Sequence, residues 1–421
     1  MNSTYIFKLP LSVCFFMLLS FSLNAQADYS VFKGKIIDSK SNRALEAANL
    51  KVSDGNIGTI TNSEGEFVLK VPLTFLDSKL IVSLLGYTAR EISLSELLKE
   101  NNIIKLEEAV TKLSEVNISA YKDAENLVKR VFEDRDKNAE DRSLYMTAFY
   151  RESIKRRNRN VSLTEAIVDV LKRPYTSIQR DAIKLGKARK STDYKRLDTV
   201  SVKLQGGPFS TIYLDIMKYP EYMFTNETIS SYNFTFSQPT TLNNRSVYVV
   251  NFKPRNSGLN LNYNGTLFID VESFALVSAS YALDVSNKNK TRNLLVKKKP
   301  RNIEVYPIEA NYRVDYQTKN DKWYFSYSSL DLKFKVKKKR QLFNKVYSLS
   351  SELAITDWEI NVTDKKIIGK ERLRPTVIIA DAITGFSDPD FWGDYNLIEP
   401  DKSIEIAIEK IKKNIDKQKE N

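Results

Sequence analysis

GTITNSEGEFVLKVP, residues 58–72, sets two runs of alternating apolar and polar residues on either side of an Asn-Ser-Glu-Gly cluster. Within Glu66–Pro72, Phe67, Leu69 and Val71 share one face, and Glu66 and Lys70 take the other. A period of two buries one face of a β-strand. Pro72 ends the run because it has no N–H to give to a ladder. Residues 62–65 therefore read as a hairpin loop, in which Gly65 supplies the positive φ that closes the turn and Asn62 bonds its own backbone. A calcium loop would need several more carboxylates at alternate positions.

The same texture extends outward from this hairpin. SVFKGKIID, AANLKV, IGTIT, KLIVSLLGY, AREISL and NIIKL are short runs, each bounded by turn residues, between positions 30 and 106. G-x-I-x-D at Gly34 to Asp38, ALEAANLKV, the opening stretch and LIVSLLGYTAREISL follow one another in an order that resembles the carboxypeptidase regulatory-like domain, over roughly residues 29–110. The resemblance implies a seven-stranded, transthyretin-like β-sandwich. LSEVNISA, residues 113–120, is similar to the strand that closes this module in TonB-dependent outer-membrane transporters of Bacteroidetes-type bacteria. Ala47 replaces the proline usual in the family. In zinc carboxypeptidases the module is a non-catalytic appendage, so the resemblance implies no carboxypeptidase activity.

Composition narrows the chemistry. Lys8 precedes an apolar run over 9–23, and Ala25 and Ala27 follow. The run falls short of the roughly 20 residues that span a bilayer and matches a secretory signal peptide cleaved near Ala27. The single cysteine, Cys14, lies inside that run, so the exported product is expected to lack thiol and disulfide chemistry. Histidine is absent from all 421 residues. That excludes Ser-His triads and histidine-ligated zinc sites. Glycine-rich nucleotide fingerprints and nucleophile elbows are missing too, and no cofactor is implied. A carboxylate-only hydrolase remains open. The net charge of +13 would favour nucleic acid in a cytoplasmic protein; for an exported one we expect no nucleic acid and look to an anionic membrane surface. A basic surface that simply maintains solubility is the bland alternative.

After Tyr121 the period changes. DAENLVKRVFEDRDKN, residues 123–138, places Ala124, Leu127, Val128, Val131 and Phe132 on one side of a helix, with Asp123 as its N-cap. Long aromatic-rich segments follow over 144–362, several joined by hairpin signals such as Asn243-Asn244 and Asn264-Gly265. They predict one large, curved antiparallel sheet, interrupted by a short helix and turn around GGPFSTIYLDIMKYPEY. SVYVVNFKP followed by GTLFIDVESFALVSASYAL resembles the half-barrel of periplasmic lipoprotein carriers of the Lol type, in which a helix shields an acyl-chain cavity. In that arrangement Leu267 and Ile269 on one strand, with Phe274, Leu276 and Ser278 on the next, would line the concave face. The basic runs VKKKPR (296–301) and FKVKKKR (334–340) read either as membrane-facing charge or as protection of sheet edges.

SDPDFWGDYNLIEPDKS, residues 387–403, reads as an ordered loop before a helix over 404–415 capped by Asp401 or Ser403. Phe391, Trp392 and Tyr395 are expected to plug the sheet or contact a partner. The expected division is a signal peptide (1–27), the sandwich (28–120), the helix-plus-sheet domain (121–400), and a C-terminal helix and tail (401–421). The whole chain is similar to a family of exported Bacteroidetes-type proteins. The expectation is a mainly β, non-enzymatic envelope protein, in the periplasm or at the outer membrane. Its sandwich would contact envelope proteins and its half-barrel would bind a lipid, a lipoprotein or another apolar ligand. The alternatives are a carboxylate-dependent hydrolase and a structural accessory of an outer-membrane transport complex.

Overall fold

The computed structural model describes residues 29–109, 123–157, 159–192, 205–225, 227–255, 262–296, 301–338, 344–382, 392–406 and 408–409. The expected signal peptide, the segment 113–120 and Phe391 lie outside the described residues.

The first seven strands are β1 (Tyr29–Asp38), β2 (Asn49–Val52), β3 (Gly58–Ile60), β4 (Glu66–Pro72), β5 (Lys79–Ser83), β6 (Arg90–Ser93) and β7 (Asn102–Leu106). They form two small sheets, ordered β4-β1-β7 and β3-β2-β5-β6. Alternation packs Ile36, Leu50, Val52, Phe67, Leu69, Val71, Leu80 and Val82 between them, all out of water. The β3–β4 loop is a turn, as its sequence indicates. The Asn62 side-chain oxygen accepts from the N–H groups of Glu64 at 2.9 Å and Glu66 at 2.8 Å. Gly65 has φ +75°, and a Cβ there would lie 2.5 Å from the Ile36 carbonyl oxygen.

The remaining strands are β8 (Leu144–Arg156), β9 (Arg159–Lys172), β10 (Ala182–Thr192), β11 (Tyr232–Leu242), β12 (Arg245–Pro254), β13 (Tyr263–Asp270), β14 (Leu276–Leu283), β15 (Ile303–Lys319), β16 (Lys322–Lys338) and β17 (Lys345–Ile360). They make one open sheet of ten strands in the order β10-β9-β8-β17-β16-β15-β14-β13-β12-β11. Two meanders, β8 to β10 and β11 to β17, meet at an antiparallel seam between β8 and β17. Consecutive strands β10 and β11 thus lie at opposite edges, and the chain between them has to cross a face of the sheet.

Alternation gives that sheet two faces of different chemistry. On β8, Met146, Ala148, Tyr150 and Ile154 join an extensive apolar core. This face is covered by the helix α1 (Ala124–Glu133), through Leu127, Val128 and Val131, and by the crossing chain, through Phe209, Ile212, Ile216, Met217 and Phe224. Asp123 caps α1 by accepting from the Glu125 N–H at 2.9 Å. The helix expected over 123–138 breaks at Asp134, whose backbone leaves the helical region, and one short turn follows at Arg135–Asn138. A buried ionic group holds the crossing chain down: Lys172 Nζ lies 2.7 Å from Asp181 and 2.6 Å from Asp215, and the Tyr316 hydroxyl donates to Asp215 at 2.7 Å.

Several expectations are corrected. The helices expected over 123–138 and 404–415 do not share a face of the sheet. Ile404 and Ile408 pack on Leu163, which points away from α1, and the crossing chain supplies the missing layer. Phe274 is not on a strand; it sits in the β13–β14 turn at φ +58° with the Arg130 guanidinium 4.2 Å from its ring. A bulge at Val277 pairs Ile269 with Leu276 but Phe268 with Ser278, so Ser278 emerges on the face opposite Leu267 and Ile269. The run beginning at Phe334 does not guard an edge, because β16 is flanked by β15 and β17. A helix α2 (Lys288–Leu295), capped by Asn287, stands where no helix was expected.

Two predictions follow from these environments. Gly65→Ala combines a left-handed φ with a backbone collision and should cost about 1–3 kcal/mol or more in urea denaturation. Glu152, 3 % exposed on the α1-covered face, accepts from the Tyr150 hydroxyl at 3.0 Å, and burial raises its carboxyl from 4.5 to about 7. Between these two pH values the folded protein keeps a proton that the unfolded chain has released, so this group removes stability as pH rises through that window. Glu152→Gln should therefore be about 1–3 kcal/mol more stable than the parent at pH 8 and level with it near pH 4.5.

Candidate functional site: the cleft between sandwich and sheet

β2 points Leu50 and Val52 into the sandwich and Asn49 and Lys51 outward. Register places Ile60 of β3, Ile81 and Ser83 of β5 and Glu91 of β6 on that same outer face. This face lies over the second face of the large sheet, the one turned away from α1. Ala47 and Ile60 pack with Phe149, Ile167, Tyr327 and Ala354 of the sheet and with Trp392, Leu397 and Ile398. Polar bonds fasten the contact. Asn56 donates to the Trp358 carbonyl at 2.6 Å, Thr59 to the Leu397 carbonyl at 2.9 Å, and the Gly86 N–H to the Thr241 carbonyl at 2.8 Å. Asn396 and the Lys70 backbone exchange two bonds, of 2.7 and 2.9 Å.

The two surfaces do not close completely. A cavity of about 280 Å³ remains between them. Its apolar lining includes Ile60, Ile81, Leu84, Leu85, Leu242 and Val277, and its polar lining includes Lys51, Glu91, Ser278, Arg313, Asp315 and Gln317. Arg313 and Asp315 are neighbours on one face of β15 and pair at 2.8 Å, while the Ser278 hydroxyl donates to Asp315 at 2.6 Å. Lys51 reaches across to the Thr318 carbonyl at 3.4 Å. Burial, with the nearby Lys319 charge adding, pushes the Lys51 ammonium down to about 8.

A second, more polar cavity of about 170 Å³ lies beside the first, among Glu46, Arg151, Lys155, Asp331, Glu352 and Asp401. Its wall is a buried charge network. Arg151 bonds Glu165 at 2.8 Å, Glu352 at 3.2 Å and the Ile398 carbonyl at 2.6 Å, while Arg189 takes the other Glu165 oxygen at 2.6 Å. Burial raises the Glu352 carboxyl, Arg151 opposes that, and Asp331 and Glu46 add to it. The Arg151 and Arg189 charges hold Glu165 ionised despite its burial.

The residues singled out from sequence fall in three places. Leu267 and Ile269 are fully buried, and Leu276 nearly so, in the core under α1 and the crossing chain; Phe274 flanks that core from its turn. Trp392 is buried on the opposite face, edge-on to Phe149 at 5.8 Å, and half-buried Tyr395 has Lys187 5.5 Å from its ring. Neither group reaches the cleft; of the residues expected on the concave face, Ser278 alone lines it. Lys51, Arg313 and Asp315 were not singled out: Lys51 looks in sequence like any solvent-facing strand residue. Only the Arg-x-Asp spacing of Arg313 and Asp315 hinted at a same-face ion pair.

Among the described residues, no group of three or more acidic, histidine or cysteine side chains could hold a metal ion. No helix there is long and apolar enough to cross a membrane. Removing the Arg151 side chain should leave Glu165 and Glu352 undercompensated and release residues 392–401. Arg151→Met is expected to lose about 3–5 kcal/mol in chemical denaturation and to become sensitive to limited proteolysis in that segment.

Residues 32–118 match the family model of the CarboxypepD_reg-like domain. No curated protein matches the chain. Among solved structures it is similar to a putative outer membrane lipoprotein-sorting protein domain from Vibrio parahaemolyticus, at 12% identity and TM-score 0.25 over 58% of this chain and 94% of that one. A DUF1329 family protein from Desulfovibrio piger is similar at 10% identity and TM-score 0.25, over 58% of this chain and 96% of that one. A lipovitellin structure concerned with lipid–protein interactions is similar at 9% identity and TM-score 0.24, over 55% and 27%. The chain thus carries, at its N-terminal end, a region similar to the CarboxypepD_reg-like domain, followed by a large open antiparallel sheet.

Proposed function

We propose that this is a non-enzymatic binding protein of the bacterial cell envelope, and that the cleft between sandwich and sheet receives an apolar or amphipathic small molecule. The observation that carries this reading is the contrast between the two faces of the large sheet. On the apolar face, next to the turn that follows α1, two gaps beside Tyr175 and Met217 measure only about 20 and 10 Å³. An acyl chain would have to displace the protein's own side chains there. The cleft offers about 280 Å³, close to twice the volume that holds a benzene ring in an engineered cavity, with mixed apolar and polar walls. We thus place the ligand on the face opposite the one the half-barrel resemblance implied.

The sandwich's other sheet, β4-β1-β7, turns Lys33, Lys35, Lys105 and Ile103 away from its core, and Ile103 is 66 % exposed. That surface supports contact with an envelope protein or an anionic membrane surface. Export by the N-terminal segment and the division near residue 120 belong to the same proposal. A carboxylate hydrolase has one observation in its favour, the gathering of Glu46, Asp331 and Glu352 around the second cavity. Loss of a glycan- or peptide-hydrolysing activity in Glu352→Gln would establish it.

The binding reading is tested by native mass spectrometry of protein extracted gently from its own envelope. A co-purifying molecule of a few hundred daltons is expected. It should be absent from Ile81→Trp, in which the indole fills the cleft. An empty parent protein, or a ligand retained by Ile81→Trp, would place the function elsewhere.

A further inference from the structure

Among the described residues, the fully buried cations come with partners, and half-buried Lys51 contrasts with them. Arg151 and Arg189 share Glu165, and Lys172 sits between Asp181 and Asp215. Lys218, the least charge-matched of them, is held by the Pro174 and Ser177 carbonyls at 2.5 and 2.6 Å, with Asp181 and Asp215 nearby. Lys51 departs from this pattern. It stands on the cleft wall with one long bond, to the Thr318 carbonyl at 3.4 Å, and no carboxylate among the described residues lies within ion-pair distance. The acidic groups of the cleft are engaged elsewhere: Glu91 with Lys79 at 3.1 Å, and Asp315 with Arg313 and Ser278. A second cation, Lys319, stands close enough to repel it. Lys319 is fixed by the Asn56 side-chain oxygen at 2.6 Å and the Gly55 carbonyl at 3.0 Å, with Asp54 and Asp357 in its surroundings.

Taking an ammonium out of water without a counter-charge is costly, and a repelling neighbour adds to the cost. The arrangement makes physical sense if the missing charge arrives with the ligand. We propose that Lys51, backed by Lys319, seats the anionic head of the molecule that enters the cleft, with Ile81, Leu84, Leu85 and Leu242 taking its apolar part. The ligand class is then a small amphipath ending in a phosphate, sulfate or carboxylate. This rests on the cleft being the binding site, and it adds the charge and the orientation of what binds there.

The test is isothermal titration of the full-length protein with n-octyl phosphate below its micelle concentration, with n-octanol, and with inorganic phosphate. Each is titrated into the parent, Lys51→Met and Lys51→Arg. Octyl phosphate should bind the parent about tenfold or more tightly than octanol. Lys51→Met should erase that preference, and Lys51→Arg should keep most of it. The unliganded Lys51→Met protein should also melt higher than the parent, because a half-buried ammonium without a counter-charge is gone. Inorganic phosphate that binds with the same dependence on Lys51 would support the anion seat with a free anion as its occupant. Feeble inorganic phosphate beside tight octyl phosphate would support a lipid-like headgroup. Equal binding of octyl phosphate and octanol, or a preference that survives in Lys51→Met, overturns the anion seat and leaves the cleft standing. Failure of both octyl compounds to bind the parent overturns the cleft and the seat together.

Discussion

Two consecutive strands at opposite edges of one sheet force the chain between them across a face. β10 and β11 impose that constraint, and the residues from 205 onward meet it by lying over the apolar side of the sheet. The crossing segment forms, in its described residues, short helical turns at Phe209–Ile212, Pro220–Tyr222 and Ile229–Ser231 rather than one long helix. It is secured by its apolar side chains and by Asp215, which meets Lys172 of β9 and the Tyr316 hydroxyl of β15. Breaking such a group leaves a buried charge unmatched, and that fixes the path more firmly than apolar contact alone. A large open sheet that would otherwise present an oily face is thereby filled by its own connection.

The opposite face is ionic and is covered from outside. Arg151, Glu165, Arg189 and Glu352 bring β8, β9, β10 and β17 together there, and the Arg151 guanidinium also holds the Ile398 carbonyl. The sandwich settles beside this network through backbone-directed bonds from Asn56 and Thr59 and a modest apolar cluster. Interdigitated aliphatic layers exclude voids, whereas surfaces joined by directed polar bonds can leave space between bonds. The cleft lies in such a space, with the Arg313–Asp315 pair on one wall and Lys51 on the other.

Much of the fold was legible because it is local. The Asn62–Gly65 turn, the alternation of Glu66–Pro72, the Asp123 cap and the hairpins of the large sheet all follow from residue type and spacing. The order of strands was not legible, since nothing in Ala182–Thr192 or Tyr232–Leu242 says that they stand at opposite edges. The bulge at Val277 was hidden too: one extra residue turned Ser278 to the other face without disturbing the apolar look of LVSAS. α2 was missed because KNKTRNLL is mostly polar and shows too short an apolar stripe. Of the candidate site, Lys51 was not legible. Its environment is made by Thr318 and Lys319, more than 260 positions away, and no pattern within NLKV could announce them.

The seam between β8 and β17 bears on how the molecule is assembled. It joins Arg151 to Glu352, separated by 201 positions, and β17 is the last strand of the sheet to leave the ribosome. Until it arrives, β8 has one bare edge, lined with the N–H and C=O groups that will later bond β17. An unpaired edge recruits other chains, and long-range pairings form slowly. The strand pairings of the sandwich all lie within 29–106, so none of them waits for β17. A newly made molecule should therefore pass through a state with a finished head and an unsealed sheet, and the demand on chaperones falls on the interval before residue 360 emerges.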